Sequence, residues 1–269
     1  ILVAWFSRND KRLLKWSLFN LLLVITQGIL GGITVIYRLP TIVSTAHLGL
    51  SMFYLLSVVY FLTLTLPKPK KMKLDGKKLL FLKDSFLFAV FLIFSQMLWG
   101  AVMRHSGAGV ACGLGFENSI MCFDSVHWVQ SWFPLSAQAK LHMFHRYIAV
   151  ALSLFLYFIS FRLFSLFKVK NGPLKKIALA IPVVVSVQVL LGIFTVGTQL
   201  GVLATTSHLV VGALLLSLVF KTYLVINKLC EQQVGIPPNT YVGDLFMMTK
   251  PKLSALAILS ATVGLLLAP

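Results

Sequence analysis

The most specific chemistry in this chain is held by two histidines and an arginine set in otherwise apolar sequence: His145, Arg146 and His208. An ionisable side chain inside a membrane-length apolar helix costs on the order of 2 kcal/mol or more and is functional by default. A neutral imidazole near the end of one helix and a second on a neighbouring helix can take the two axial positions of a haem iron, with the propionates turned toward a nearby arginine. No Cys-x-x-Cys-His run occurs, so such a haem would be held by ligation and packing rather than covalently. His142, three residues before His145, could bond a propionate or reach outward to the membrane interface, and the interface is the reading favoured.

A third histidine, His47, follows from a segment the chain contains twice. Gln27, Gly31, Thr34 and His47 recur as Gln188, Gly192, Thr195 and His208, each pair 161 positions apart (188 − 27 and 208 − 47). Within each copy, Gln, Gly and Thr fall at i, i+4 and i+7, one small and polar stripe along a helix where something flat can approach the backbone. Small residues also line ordinary membrane-helix contacts. A histidine at the same distance in both copies goes beyond that reading. Shifted by the same interval, the counterpart of His145 falls sixteen residues before Ile1, so a partner for His47 is expected upstream of this sequence (145 − 161 = −16).

These residues need membrane helices to position them. The 269 residues are 58% hydrophobic and 12% charged, which excludes an ordinary soluble domain. Apolar runs of membrane-spanning length are read at 16–36, 41–65, 85–103, 141–161, 177–197, 203–220 and 253–269. The net charge of +17 comes from lysines and arginines that cluster in alternate connections: 8–15, 68–83, 162–176 and 221–228. That alternation is a topology signal, with the basic connections inside. It puts His47, His145 and His208 at similar depth in the outer half of the membrane. Nucleic-acid binding is set aside, because the aromatic residues lie inside apolar spans instead of being interleaved with the basic ones.

The one long outer connection, 104–140, carries Cys112 and Cys122, the aromatics Trp128, Trp132 and Phe133, and His105 and His127, to which no role is assigned. Tryptophans there read as interfacial anchors. Two cysteines on the oxidising side can close a short loop by a disulfide. A zinc site is the weaker alternative, since nine residues separate them and no second ligand pair follows. Cys230 falls on the cytoplasmic side as a free thiol.

Taken together, His145-Arg146, the helix from Gln188 to Val196 with His208, the stretch from Arg104 to Cys112 before Cys122, and Gly31 to Val35 with Leu39-Pro40 and His47 resemble the haem A synthase family over residues 1–228. The resemblance implies an all-α membrane protein of two pseudo-symmetric four-helix bundles, the first incomplete here, plus one extra C-terminal transmembrane helix. The partial first half is 1–66 and the second half 79–228. It implies haem b as redox cofactor, with His145 and His208 as its axial ligands and Arg146 as a propionate contact. His47 would be one histidine of the site for the substrate, haem O. Cys112 and Cys122 would form the outer-loop disulfide, across a longer interval than the family's usual one. The implied reaction oxidises a porphyrin methyl to a formyl, giving haem A for terminal oxidases. Membrane lipids and the cytochrome oxidase assembly route are the implied partners, and the bacterial cytoplasmic or mitochondrial inner membrane the implied location. The family's catalytic glutamate-histidine-arginine segment is expected upstream of Ile1.

Beyond a linker at 229–242, the stretch 243–269 is similar to the opening of haem O synthase, the prenyltransferase that makes this substrate, and suggests a fusion of consecutive enzymes. The alternative to a synthase is a di-haem b-type electron-transfer subunit with no substrate chemistry. A transporter, the third class weighed, would place its polar groups nearer the midplane.

Overall fold

The computed structural model describes residues 11–67, 69, 74–122, 128–167 and 172–234. Every regular element among them is helical: α1 (Lys11–Ile36), α2 (Thr41–Thr65), α3 (Gly76–His105), a short α4 (Trp128–Trp132), α5 (Ala137–Leu166), α6 (Pro173–Gly197) and α7 (Val202–Val234). Two 3-10 turns, Ala108–Val110 and Phe116–Asn118, lie in the long connection after α3. Six of the helices are long and apolar enough to cross a membrane. The all-α membrane architecture expected from the sequence is the one observed.

Helices α3, α5, α6 and α7 form a ring in which α3 packs on α5 and α7, and α6 closes the circle between α5 and α7. Their buried residues keep a seven-residue rhythm. Leu79, Leu82, Phe86, Ala89 and Ile93 line α3; Leu152, Leu156, Ile159 and Leu163 line α5; Leu174, Ala178, Ile181 and Val185 line α6. Alternating steps of three and four keep one stripe of each helix on the bundle axis. This core fills the end of the bundle where α5 finishes and α6 begins. The histidines lie toward the opposite end. Helix α2 lies against α3 and α7, sending Met52 into the core, and α1 packs on α2.

Helix ends depart from the sequence expectation for physical reasons. Helix α3 starts at Gly76 rather than 85, because Asp75 caps it by accepting from the Lys77 and Lys78 N–H groups at 3.0 and 3.2 Å. The Lys78 N–H bond holds the Asp75 carboxyl below the usual carboxylate range. Helix α7 continues to Val234, into the stretch 229–242 expected as a linker. Glu231 accepts from Asn227 one turn back at 2.9 Å, and Cys230 is a buried free thiol within the helix. The expected helix tail at 1–6, His127, and the stretch 243–269 with its span at 253–269 lie outside the described residues.

The internal repeat extends to the backbone. Among the described residues, the non-glycine residues with positive φ are Arg38 (56°), Leu39 (60°), Gln199 (57°) and Leu200 (61°), again 161 apart (199 − 38 and 200 − 39). Leu39 N–H donates to Thr34 O and Leu200 N–H to Thr195 O, both at 2.8 Å. Left-handed conformation costs an L-residue roughly 1–2 kcal/mol. Adopting it twice in succession at equivalent places marks the α1–α2 and α6–α7 turns as two copies of one hairpin.

Candidate functional site: three histidines seated on glycines

Each of the three histidines lies with its ring against a glycine of a neighbouring helix. A Cβ built on Gly31 of α1 would stand 3.0 Å from His47 Cε1, one on Gly100 of α3 would stand 3.1 Å from His145 Cε1, and one on Gly192 of α6 would stand 3.3 Å from His208 Cε1. Any side chain there would displace the imidazole, so glycine fixes how closely ring and helix approach. A glutamine precedes each of these glycines by one turn. Gln27 Nε2 donates to the His47 main-chain oxygen at 3.1 Å, and Gln96 Nε2 to that of His145 at 2.7 Å. In the third, His208 Nδ1 donates to the Gln188 main-chain oxygen at 3.2 Å.

His145 and His208 stand on α5 and α7, two helices of the same ring. Both are half-buried. The Nδ1–H bond of His208 to Gln188 leaves the lone pair on Nε2, the tautomer a metal-binding imidazole needs. Among the described residues, no group of three or more His, Cys, Asp or Glu side chains could hold a bare metal ion. Two imidazoles, each seated over a glycine of a neighbouring helix, are a donor set of the kind that fits a metal bringing its own planar ligands, such as a haem.

Arg146 is half-buried and turns back along its own helix, with Nη2 3.0 Å from His142 Nε2 and Nη1 3.8 Å from Met143 Sδ. His142 is not at the interface as expected: it is 2% exposed. The outer connection folds over it, with the 108–110 turn packed on α3 and α5, so the ring meets protein instead of the membrane edge. Cys112 and Cys122 are joined by a disulfide and packed against Ala139, Met143 and Trp132, so Trp132 serves this small core as well as the surface. The threonines of the repeat do not reach the rings. Thr34 donates to Gly31 O at 2.6 Å and Thr195 to Leu191 O at 2.8 Å, each within its own helix.

The family model described as "Cytochrome oxidase assembly protein" (COX15-CtaA) matches residues 1–220. The chain belongs to that family. It is also similar to a protein of Shewanella oneidensis named heme A synthase, with 27% identity over 247 residues covering 85% of this chain and 72% of the relative. The family model's match ends at residue 220, before the stretch 243–269. In this assembly protein, Gln96 and Gly100 are the site residues the sequence reading missed. Their spacing equals that of Gln27–Gly31 and Gln188–Gly192, and that signal alone would have found them.

Proposed function

We propose that this chain acts as a haem A synthase, an oxidoreductase of the membrane that converts the porphyrin methyl of haem O stepwise to a formyl. The reading is supported by the family, by the name of the Shewanella relative and, above all, by three imidazoles seated alike on glycines of which two face one bundle and the third stands apart on α2. His145 and His208 would hold haem b, which when bound supplies a one-electron carrier. Arg146, oriented by His142, would receive a propionate, and the main-chain bond of Gln188 to His208 would keep Nε2 turned to the iron. His47, on the α1–α2 hairpin, would hold the substrate. The Cys112–Cys122 disulfide would stiffen the outer connection above the haem b site, with the histidine ends of the helices toward the outer face of a bacterial cytoplasmic or mitochondrial inner membrane.

The product would enter cytochrome oxidase assembly. For residues 243–269 we keep the likeness to the opening of haem O synthase, testable as prenyltransferase activity of the full-length protein. The deciding experiment is chromatography of haems extracted from the full-length protein expressed beside a haem O source. Haem b together with haem O or haem A is expected. Haem b alone would favour an electron-transfer subunit.

A further inference from the structure

The glutamines of the three modules are not equivalent. Gln27 Nε2 is surrounded by three acceptors: the His47 main-chain oxygen at 3.1 Å, His47 Nε2 at 3.2 Å and Ser51 Oγ. A carboxamide nitrogen has two protons and only donates. One acceptor must therefore share, and His47 Nε2 meets the amide with its lone pair, the same lone pair an iron would take. The other end of the amide, Oε1, is buried with no partner in Gln27, Gln96 and Gln188 alike, so what sets Gln27 apart is the Nε2 end, where its amide meets the ring nitrogen. In the second half Gln96 bonds the main chain of His145 and not its ring, and Gln188 Nε2 stands 3.5 Å from His208 Nε2, at the limit of a hydrogen bond.

We propose that Gln27 is an exchange residue: its carboxamide competes with iron for His47 Nε2 and makes that bond reversible, while His145 and His208, without an equal competitor, retain their haem. The inference rests on the reading above that His47 holds the substrate. When iron takes Nε2, both amide protons remain satisfied, on His47 O and Ser51 Oγ. When iron leaves, the lone pair of Nε2 is not left buried and unpartnered, because the amide serves it again. The amide protons and the Nε2 lone pair thus have partners in both states, as a site that must load a substrate and release a product requires.

The test charges the full-length enzyme, purified in detergent, with haem O and follows transfer to excess apomyoglobin by absorbance. Haem b in the same molecules serves as reference for folding. Gln27→Leu should slow the departure of haem O about tenfold, the equivalent of ~1.4 kcal/mol for one lost hydrogen bond. Ser51→Ala leaves two protons for the two acceptors on His47, so it should speed departure. Gln27→Met, a flexible side chain with no donor, repeats the measurement if the leucine variant does not assemble. Release from Gln27→Leu or Gln27→Met that is unchanged or faster, with haem b retained, overturns the proposal and leaves the synthase reading standing, and so does a Ser51→Ala enzyme that releases no faster. A wild-type enzyme that takes up no exchangeable haem O overturns the synthase reading itself.

Discussion

The α1–α2 and α6–α7 hairpins share a backbone down to the same pair of left-handed residues and the same 2.8 Å turn bond, yet their histidines are held differently. His208 is oriented from behind, through Nδ1 and the Gln188 main chain. The His47 ring is met from the front, at Nε2 by the Gln27 side chain, while its Nδ1 is buried without a partner. A duplicated scaffold thus fixes where a ring lies, and single hydrogen bonds decide what the ring is ready to do. The surroundings differ in the same sense. Helix α7 belongs to the closed ring, whereas α1 leaves Leu18, Leu22, Ile25 and Ile29, a stripe at steps of four, three and four, more than half exposed.

Replacing the histidines is the strongest way to break this comparison. His145→Ala or His208→Ala should all but abolish the retained haem b in the purified full-length protein, read from its Soret absorbance, while His47→Ala should leave that band intact and remove the exchangeable haem. Loss of both haems from any one variant would show that the halves do not bind independently.

The glycines sharpen it. Alanine at Gly31, Gly100 or Gly192 forces its ring to give by a few tenths of an ångström, and overpacking of this kind costs typically about 1–3 kcal/mol. The clearances of 3.0, 3.1 and 3.3 Å set the order of damage. Gly31→Ala should weaken haem O retention most, and Gly192→Ala should weaken haem b retention least, as measured by haem titration. A reversed order would mean that the ring-on-glycine contact does not control binding.

The smallest effect on haem binding itself is expected at the disulfide, which cross-links the connection between α3 and α5. Cys112→Ser should lower the thermal stability of the haem b absorbance, with a loss of about 3 kcal/mol or less for a short loop. Haem O exchange at His47 should be unchanged.

The spans were legible because a bilayer demands long uncharged runs, and their ends were not, because charge was read as the edge. Lys77, Lys78, Lys83 and Asp84 all lie inside α3, and Lys221 and Lys228 inside α7. Long basic side chains carry their charge to the interface while the helix continues. The haem-pair candidates were legible because an imidazole in apolar sequence stands out. Gln96 and Gly100 did not stand out, since their histidine follows the glycine by 45 residues where His47 and His208 follow theirs by 16 (145 − 100, 47 − 31 and 208 − 192). The outer connection separates a module that the other two keep within one hairpin. The burial of His142 depended on how that same connection folds back, which no local pattern encodes.

Helix α2 and the residues just after it are tied to α3 and α7 at both ends: Thr41 Oγ1 donates to His105 O at 2.9 Å, Lys228 Nζ to Thr63 O at 2.6 Å and Gln232 Nε2 to Pro69 O at 3.2 Å. A helix moored fore and aft cannot piston along its neighbours. Electron tunnelling falls steeply with the gap it must cross, so a carrier on α2 and one in the ring would keep a constant spacing through loading and release. On the proposed function, substrate could come and go while that wiring stayed taut.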